Sequence, residues 1–342
     1  MSKPPINSIE EITAQTLKHA LFRYFYKGDL PNTKQFPLDA LFEAERRSYS
    51  VLHGLTTSLG TGLWQTLAKR IATECGGFEA CDPAEIQQPK RNEKLEKIVD
   101  SWIAKRNEDH ASIELEDYIK ELKGAFPQPA AKNVTFERLQ KSLGADLLLR
   151  KGQQEWAIES KTCQINAGGG REFSEKLMRW YAYRYFQKGS QHNFTARLAI
   201  PYNPYQGDWF EEQAGRIHPL TECDIWLESA YWDFLSGGKN TWQKIQGGFQ
   251  KVSQSKPLMT LYREAFGGSV SDDFELRVLG MHIGCKLLHA GDQSDSSKHP
   301  RWRCYSCKSE FLARASHLWH KTNGTRKIEI CPNCKNPLLP SV

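Results

Sequence analysis

The stretch Gly144-Ala145-Asp146-Leu147-Leu148-Leu149-Arg150-Lys151-Gly152-Gln153-Gln154-Glu155-Trp156-Ala157-Ile158-Glu159-Ser160-Lys161-Thr162 decides how this chain folds. Two short apolar runs, Leu147–Leu149 and Trp156–Ile158, flank the polar segment Lys151-Gly152-Gln153-Gln154, which predicts a β-hairpin with a four-residue turn. Arg150 and Glu155 then face each other, and carrying the pairing outward sets Asp146 opposite Glu159. Facing residues of an antiparallel pair lie about 4.5–5.5 Å apart, so the two carboxylates converge. Side chains alternate along a strand, so Lys161 shares the face of Glu159 while Ser160 points away, and Leu147, Leu149, Trp156 and Ile158 line the opposite face.

Two carboxylates at that distance repel unless a cation neutralises them, and hard oxygen ligands suit Mg²⁺. A lysine beside such an ion can orient or help deprotonate a water and stabilise charge that grows on a phosphorane. The plainer alternative is a surface salt bridge between Lys161 and the acids, because a motif this short also arises by chance.

Downstream of the hairpin come Gly168-Gly169-Gly170, a helical segment from about Glu172 to Phe186, and a third strand over Ala196–Ile200 that ends at Pro201. A strand, helix, strand order with a crossover of this length predicts parallel pairing and a mixed sheet. The crossover helix carries Arg171, Lys176, Arg179 and Arg184 among Trp180, Tyr181, Tyr183 and Tyr185. The cations, Arg171 and Lys176 above all, either reach DNA phosphates or form the wet face of an amphipathic helix; the aromatics read more simply as core. The triple glycine is no phosphate cradle by itself, since no Gly-Lys-Ser/Thr follows it.

Upstream, residues 1 to about 130 read mostly helical. Ile9, Ile12, Leu17, Ala20, Leu21 and Tyr24 recur at helical spacing over Ser8–Tyr26, and Leu63, Trp64, Leu67, Ala68 and Ile71 do so over Thr61–Cys75, stopped by Gly76-Gly77. Polar helices are expected over Asn92–Lys105 and Ile113–Lys123, and further helices over Thr241–Val252 and Pro257–Phe266. Gly291–Ser297 is polar and small, as in a linker. The expected plan is a helical region over 1–130, a catalytic core over 131–290, and a linker with a small module over 291–342.

That last module announces itself by cysteine spacing. Cys304-Tyr305-Ser306-Cys307 and Cys331-Pro332-Asn333-Cys334 are two C-x₂-C turns, and two such turns complete a tetrahedral Cys₄ shell for a structural Zn²⁺. The segment has too few large apolar residues for a core of its own, so a metal would supply the missing folding energy. Reduced structural thiols, or a site that recruits His320, are the weaker alternatives. The other five cysteines, Cys75, Cys81, Cys163, Cys223 and Cys285, share no spacing and read as buried small hydrophobes.

From Lys298 onward nine lysines and arginines face two acids, a net of +7, so with +6 for the whole 342-residue chain the preceding 297 residues sum to −1. A basic module on a neutral body suggests a polyanionic partner, with Arg301, Arg303, Arg314, Lys321, Arg326 and Lys327 as candidate DNA contacts. At 39% hydrophobic and 25% charged residues the chain is an ordinary globular one. No run approaches the roughly 20 apolar residues of a membrane span, and the N-terminus lacks a secretory h-region, so a bacterial or archaeal cytoplasmic location is expected, with no membrane partner.

Taken together, Gly144-Ala145-Asp146 followed by Glu159-Ser160-Lys161 resembles the PD-(D/E)xK nuclease signature, with Ala145 where proline often stands. The wider series Glu159-Ser160-Lys161-Thr162, Gly168–Gly170, Lys176-Leu177, Trp180-Tyr181-Ala182-Tyr183, Pro201–Tyr205 and Tyr231–Gly238, with Ser58–Trp64 upstream, resembles type II restriction endonucleases of the TdeIII group. The likeness spans roughly residues 50 to 250. It implies a mixed α/β sheet of the restriction-endonuclease kind, with Asp146, Glu159 and the Ser160 backbone carbonyl on Mg²⁺ and Lys161 serving the water nucleophile. It further implies in-line hydrolysis of double-stranded DNA that leaves 5′-phosphates. Relatives often recruit an extra acid from a preceding helix, for which Glu45 is a candidate and Glu43 equally tenable. A palindromic site implies a homodimer, and a restriction system implies a cognate methyltransferase. A structure-specific repair or recombination nuclease and a non-catalytic zinc-ribbon DNA-binding protein are the alternatives.

Overall fold

A computed structural model describes residues 8–26, 53–108, 113–254, 285–289, 299–304, 307–312, 319–322, 325–328 and 331–334. The helix expected over Pro257–Phe266, the linker Gly291–Ser297, Glu43 and Glu45 lie outside these residues. The chain divides into two compact units, Met1–Ile12 with Trp64–Gly247 and Thr13–Leu63 with Gly248–Val342.

Helix α1 runs Ile9–Tyr26. A π-helical turn, Gly60–Gln65, leads into α2, Thr66–Glu74, which buries Leu67, Ala68, Ile71 and Ala72. Strands β1 (Glu79–Cys81) and β2 (Gln87–Pro89), helices α3 (Glu93–Glu108) and α4 (Glu116–Ala125), and strand β3 (Phe136–Arg138) follow. The hairpin is β4 (Leu147–Lys151) and β5 (Gln154–Ser160); then come α5 (Gly169–Lys188), β6 (Asn193–Ile200), α6 (Trp209–Ile217), β7 (Ile225–Leu227), α7 (Ser229–Ser236) and α8 (Thr241–Ser253).

The first unit is built on a five-stranded mixed sheet of order β1-β4-β5-β6-β7. The hairpin pairs Leu147 with Ile158 and Arg150 with Glu155, and β5 and β6 run parallel, as the crossover demands. The turn is shorter than expected. Lys151 pairs with Gln154, leaving Gly152-Gln153 as a two-residue reversal, and the register survives because Gly152 takes φ of +59°, open to glycine at little cost. Among its described residues the region up to 130 is mostly helix, and it also holds β1, which pairs antiparallel with β4 at the sheet edge.

One sheet face is covered by α5, most of whose side chains are buried, with Leu148, Ala157, Leu198 and Ile200 below it and Val99, Tyr118 and Leu122 of α3 and α4 packed in the same core. Trp180, Tyr181, Tyr183 and Tyr185 are core residues, as their sequence reading expected. The tight start of α5 also explains the glycine run: a Cβ on Gly170 would sit 2.3 Å from the Ile217 carbonyl oxygen. Buried Arg106 on α3 donates to Asp224 (2.6 Å), Ser174 and the Ile113 carbonyl, tying α3 to α5 and to the turn before β7. The other face is aromatic: Trp156 packs edge-on against Phe78 (5.3 Å between centroids) and Phe234 (5.3 Å).

The second unit carries a three-stranded sheet of order β10-β9-β8, from β8 (Cys285–His289), β9 (Arg301–Cys304) and β10 (Glu310–Leu312). A hairpin of β11 (Trp319–Thr322) and β12 (Thr325–Ile328) is also present.

Candidate functional site

Regular pairing of the hairpin stops at Leu147–Ile158. One residue further out the Asp146 amide reaches back to the Ile158 carbonyl (3.1 Å), and the Ser160 amide donates to Asp146 Oδ2 at 2.8 Å. The Asp146 carboxylate thus stands where a backbone acceptor would be, clamped to the strand that carries Glu159. Burial raises the Asp146 pKa, against the lowering pull of the Ser160 amide, the Lys176 charge and the Gln65 side chain. Glu159, one residue before the end of β5, is pushed up to about 7 by burial and by the Asp146 charge, despite the opposing charge of Lys176. The two carboxyl groups therefore sense each other.

The ammonium on Glu159 is not that of Lys161. Lys176 Nζ, from α5, lies 2.8 Å from Glu159 Oε2, with side chains 7% and 14% exposed. Lys161 lies past the end of β5, its amide bonded to the Ala199 carbonyl (2.9 Å) and its Nζ 5.9 Å from the centre of the Phe173 ring on α5. Its ammonium makes no ion pair among the described residues. Asp146, Glu159, Lys161 and Lys176 are thus gathered on the α5 side of the sheet, at the end of β5. Ser160 turns its hydroxyl to the opposite face, where it and the Tyr231 phenol are buried without an aligned hydrogen bond.

The donor set fits a hard cation. Glu159 Oε2 is buried with the Lys176 ammonium as its counter-charge at 2.8 Å, and both carboxylates offer the oxygen atoms that Mg²⁺ prefers.

Of the other cations expected on α5, Arg171 is exposed, whereas Arg179 pairs with Glu175 (2.8 Å) and Glu96 (3.3 Å), and Arg184 is buried on Glu155. The sequence reading offered Lys176 as a phosphate contact and not as the partner of Glu159, and it missed Gln65. Lys176 sits 15 positions beyond Lys161 on another element, and Gln65 approaches Asp146 from the turn before α2; neither spacing signals the site.

In the second unit Cys304, Cys307, Cys331 and Cys334 place their sulfurs within 4.8 Å of one another, the only such ligand cluster among the described residues. Cys304 ends β9, and the turn closes through Lys308 N–H to the Cys304 carbonyl (3.0 Å) and Cys304 N–H to the Ser309 carbonyl (3.0 Å). Four soft thiolates on two tight turns suit Zn²⁺. The Cys307 thiol is lowered to about 6, chiefly by hydrogen bonds from Ser309, while burial pushes neighbouring Cys285 up to about 12. Arg303 and Arg301 share Glu310 across the β9–β10 pair, at 2.5 and 3.5 Å. Lys321 and Arg326 face each other in the β11–β12 register, and His320 faces Lys327. Arg314 lies outside the described residues. No described helix is long and apolar enough to cross a membrane.

No curated protein and no solved structure matches the chain. A family model does match, over residues 6–253 of the 342, a span that contains the whole hairpin, α5 and Asp146, Glu159, Lys161 and Lys176. That span is well over half of the sequence, and the chain belongs to the HinfI family of type II restriction endonucleases.

Proposed function

We propose that this restriction endonuclease is a Mg²⁺-dependent enzyme of the PD-(D/E)xK kind, akin to the TdeIII group, which cuts both strands of a specific duplex site and leaves 5′-phosphates. The observation that supports it is the meeting of Asp146 and Glu159 with Lys176 at the end of β5, with Lys161 next along the chain, inside the segment that the family model covers. Asp146 and Glu159, with the Ser160 carbonyl, are the residues to hold the ion. When bound, a hard divalent cation supplies Lewis acidity and lowers the pKa of water. The chain does the rest. The Ser160 amide fixes the Asp146 carboxylate, the α5 core keeps bulk water from the acids, and the Lys161 ammonium orients the attacking water and balances charge on the phosphoryl oxygens.

In this reading residues 131–290 are the nuclease core, 1–130 the helical N-terminal region, and 291–342 the linker and zinc ribbon. Exposed Arg171 and the ribbon cations Arg301, Arg303, Arg314, Lys321, Arg326 and Lys327 contact phosphates. Lys176, buried on Glu159, is withdrawn from that set. A palindromic site calls for a homodimer, and a cytoplasmic host for a methyltransferase that protects the same site. Glu45 keeps its place as a candidate extra acid.

Digesting unmethylated DNA of known sequence with Mg²⁺ is expected to give discrete fragments with ligatable 5′-phosphate ends, and none in chelator. A smear, or intact DNA, would remove the reading; cleavage confined to branched or flapped substrates would favour a repair nuclease. Metal analysis of the purified chain is expected to find stoichiometric zinc, and Cys331→Ser to release it and open the ribbon to proteolysis within residues 299–334. Zinc content unchanged by that substitution would refute the Cys₄ site.

A further inference from the structure

Lys176 is poorly placed for a phosphate and poorly explained as scaffold. Its ammonium is 5.5 Å from the centre of the Trp180 ring and 2.8 Å from Glu159 Oε2, in a setting where the side chain is only 7% exposed. Withdrawing an ammonium from water is costly unless anions compensate, and among the described residues its ion pair is with Glu159, while its charge also acts on Asp146. Lys161 is already at hand on the same side of the sheet and has no ion pair among the described residues. A pair of acids that calls for a cation thus has one built in, separate from the lysine of the motif.

We propose that Lys176 is a positioning residue, a resident cation that keeps Asp146 and Glu159 together before a divalent ion arrives and competes with that ion for Glu159, leaving Lys161 free for the reaction. The proposal rests on the reading of Asp146 and Glu159 as the divalent site. Lys176 therefore sets how much metal the enzyme requires, whereas Lys161 sets how fast it cuts once loaded.

Lys176→Met keeps the length and apolar stem of the side chain and deletes its charge. The test is thermal unfolding of the full chain without DNA, in chelator and across a Mg²⁺ series, each protein compared with its Glu159→Gln counterpart. A bound ion stabilises in proportion to the logarithm of its concentration over Kd, so the series yields the affinity without any cleavage. Removing one unit charge a few ångströms from a divalent ion is expected to tighten Mg²⁺ binding roughly tenfold, while the chelator melt falls because the two acids are left bare. Lys176→Arg, which keeps the charge, is expected to hold the wild-type Mg²⁺ midpoint. A Lys176→Met midpoint equal to wild type, or shifted to more Mg²⁺, overturns the competition. A wild-type Mg²⁺ response that survives Glu159→Gln overturns the metal reading, and this proposal with it.

Discussion

Lys161→Ala is expected to bind its duplex site with nearly wild-type affinity and to cut it at least about 10²–10³-fold more slowly, the loss that follows removal of one preorganised charge from a site of developing negative charge. The expectation rests on two features. Lys161 enters the site from the strand end that carries Glu159, and its ammonium makes no ion pair among the described residues, so deleting it strands no described partner charge. Its backbone amide, which bonds to the Ala199 carbonyl at 2.9 Å, is retained by alanine. Asp146→Asn is expected to be as slow for a different reason: asparagine can still accept the Ser160 amide but has no charge for a cation. Single-turnover cleavage beside a gel-shift titration separates the two quantities. Cutting and binding both untouched in Lys161→Ala would show that the hairpin end is not the active site.

The hairpin was legible because its information is local. Alternation fixes which residues share a face, and the Arg150–Glu155 facing pair was correct although the turn spans two residues and not four. The parallel β5–β6 pairing followed from crossover length, and α5 begins and ends within three residues of its expected bounds. Beyond that reach the sequence went quiet. Strand β1, Glu79-Ala80-Cys81, is too short for any periodicity to declare it, and β2 with β3 has no apolar alternation. Helix α6 carries a readable cap, Asp208 accepting from the Phe210 and Glu211 amides, yet the Pro and Gly residues ahead of it read as loop. At the hairpin end, spacing set Asp146 beside the strand end that carries Glu159 but did not set Lys176 on Glu159, which depends on how α5 lies across the sheet. The Cys₄ cluster is the opposite case, since each C-x₂-C turn fixes two ligands by backbone geometry alone and only the meeting of the turns is tertiary.

Glu155→Gln is expected to destabilise the protein by about 3–5 kcal/mol, a large part of what holds a domain folded. Glu155 lies beside the hairpin turn with its side chain 1% exposed, and accepts from Arg184 Nη2 at 2.7 Å and Arg150 Nη2 at 3.1 Å. His192 stands 3.4 Å away, and Arg184, 2% exposed, also donates to the Glu85 carbonyl at 3.0 Å. Burial alone would raise the Glu155 pKa, but the Arg184 guanidinium, aided by His192 and Arg150, holds it well below the usual carboxylate range. A carboxyl depressed on folding stabilises the native state above its unfolded pKa, and that contribution is lost as pH falls below the ordinary carboxylate range. Glutamine removes the charge at every pH and leaves Arg184 buried against a neutral partner, so the variant is expected to be weakest relative to wild type near neutrality and to show a shallower acid transition. Glu155→Met with Arg184→Met, which removes both charges and keeps apolar volume, is expected to recover much of the loss. Urea unfolding at neutral and acidic pH measures all of this, and a neutral-pH cost below about 1 kcal/mol for Glu155→Gln would mean that the cluster is surface decoration. Because β4 and β5 hold Asp146 and Glu159 at one end and this cluster at the other, the same variant is expected to loosen the carboxylate pair without touching it.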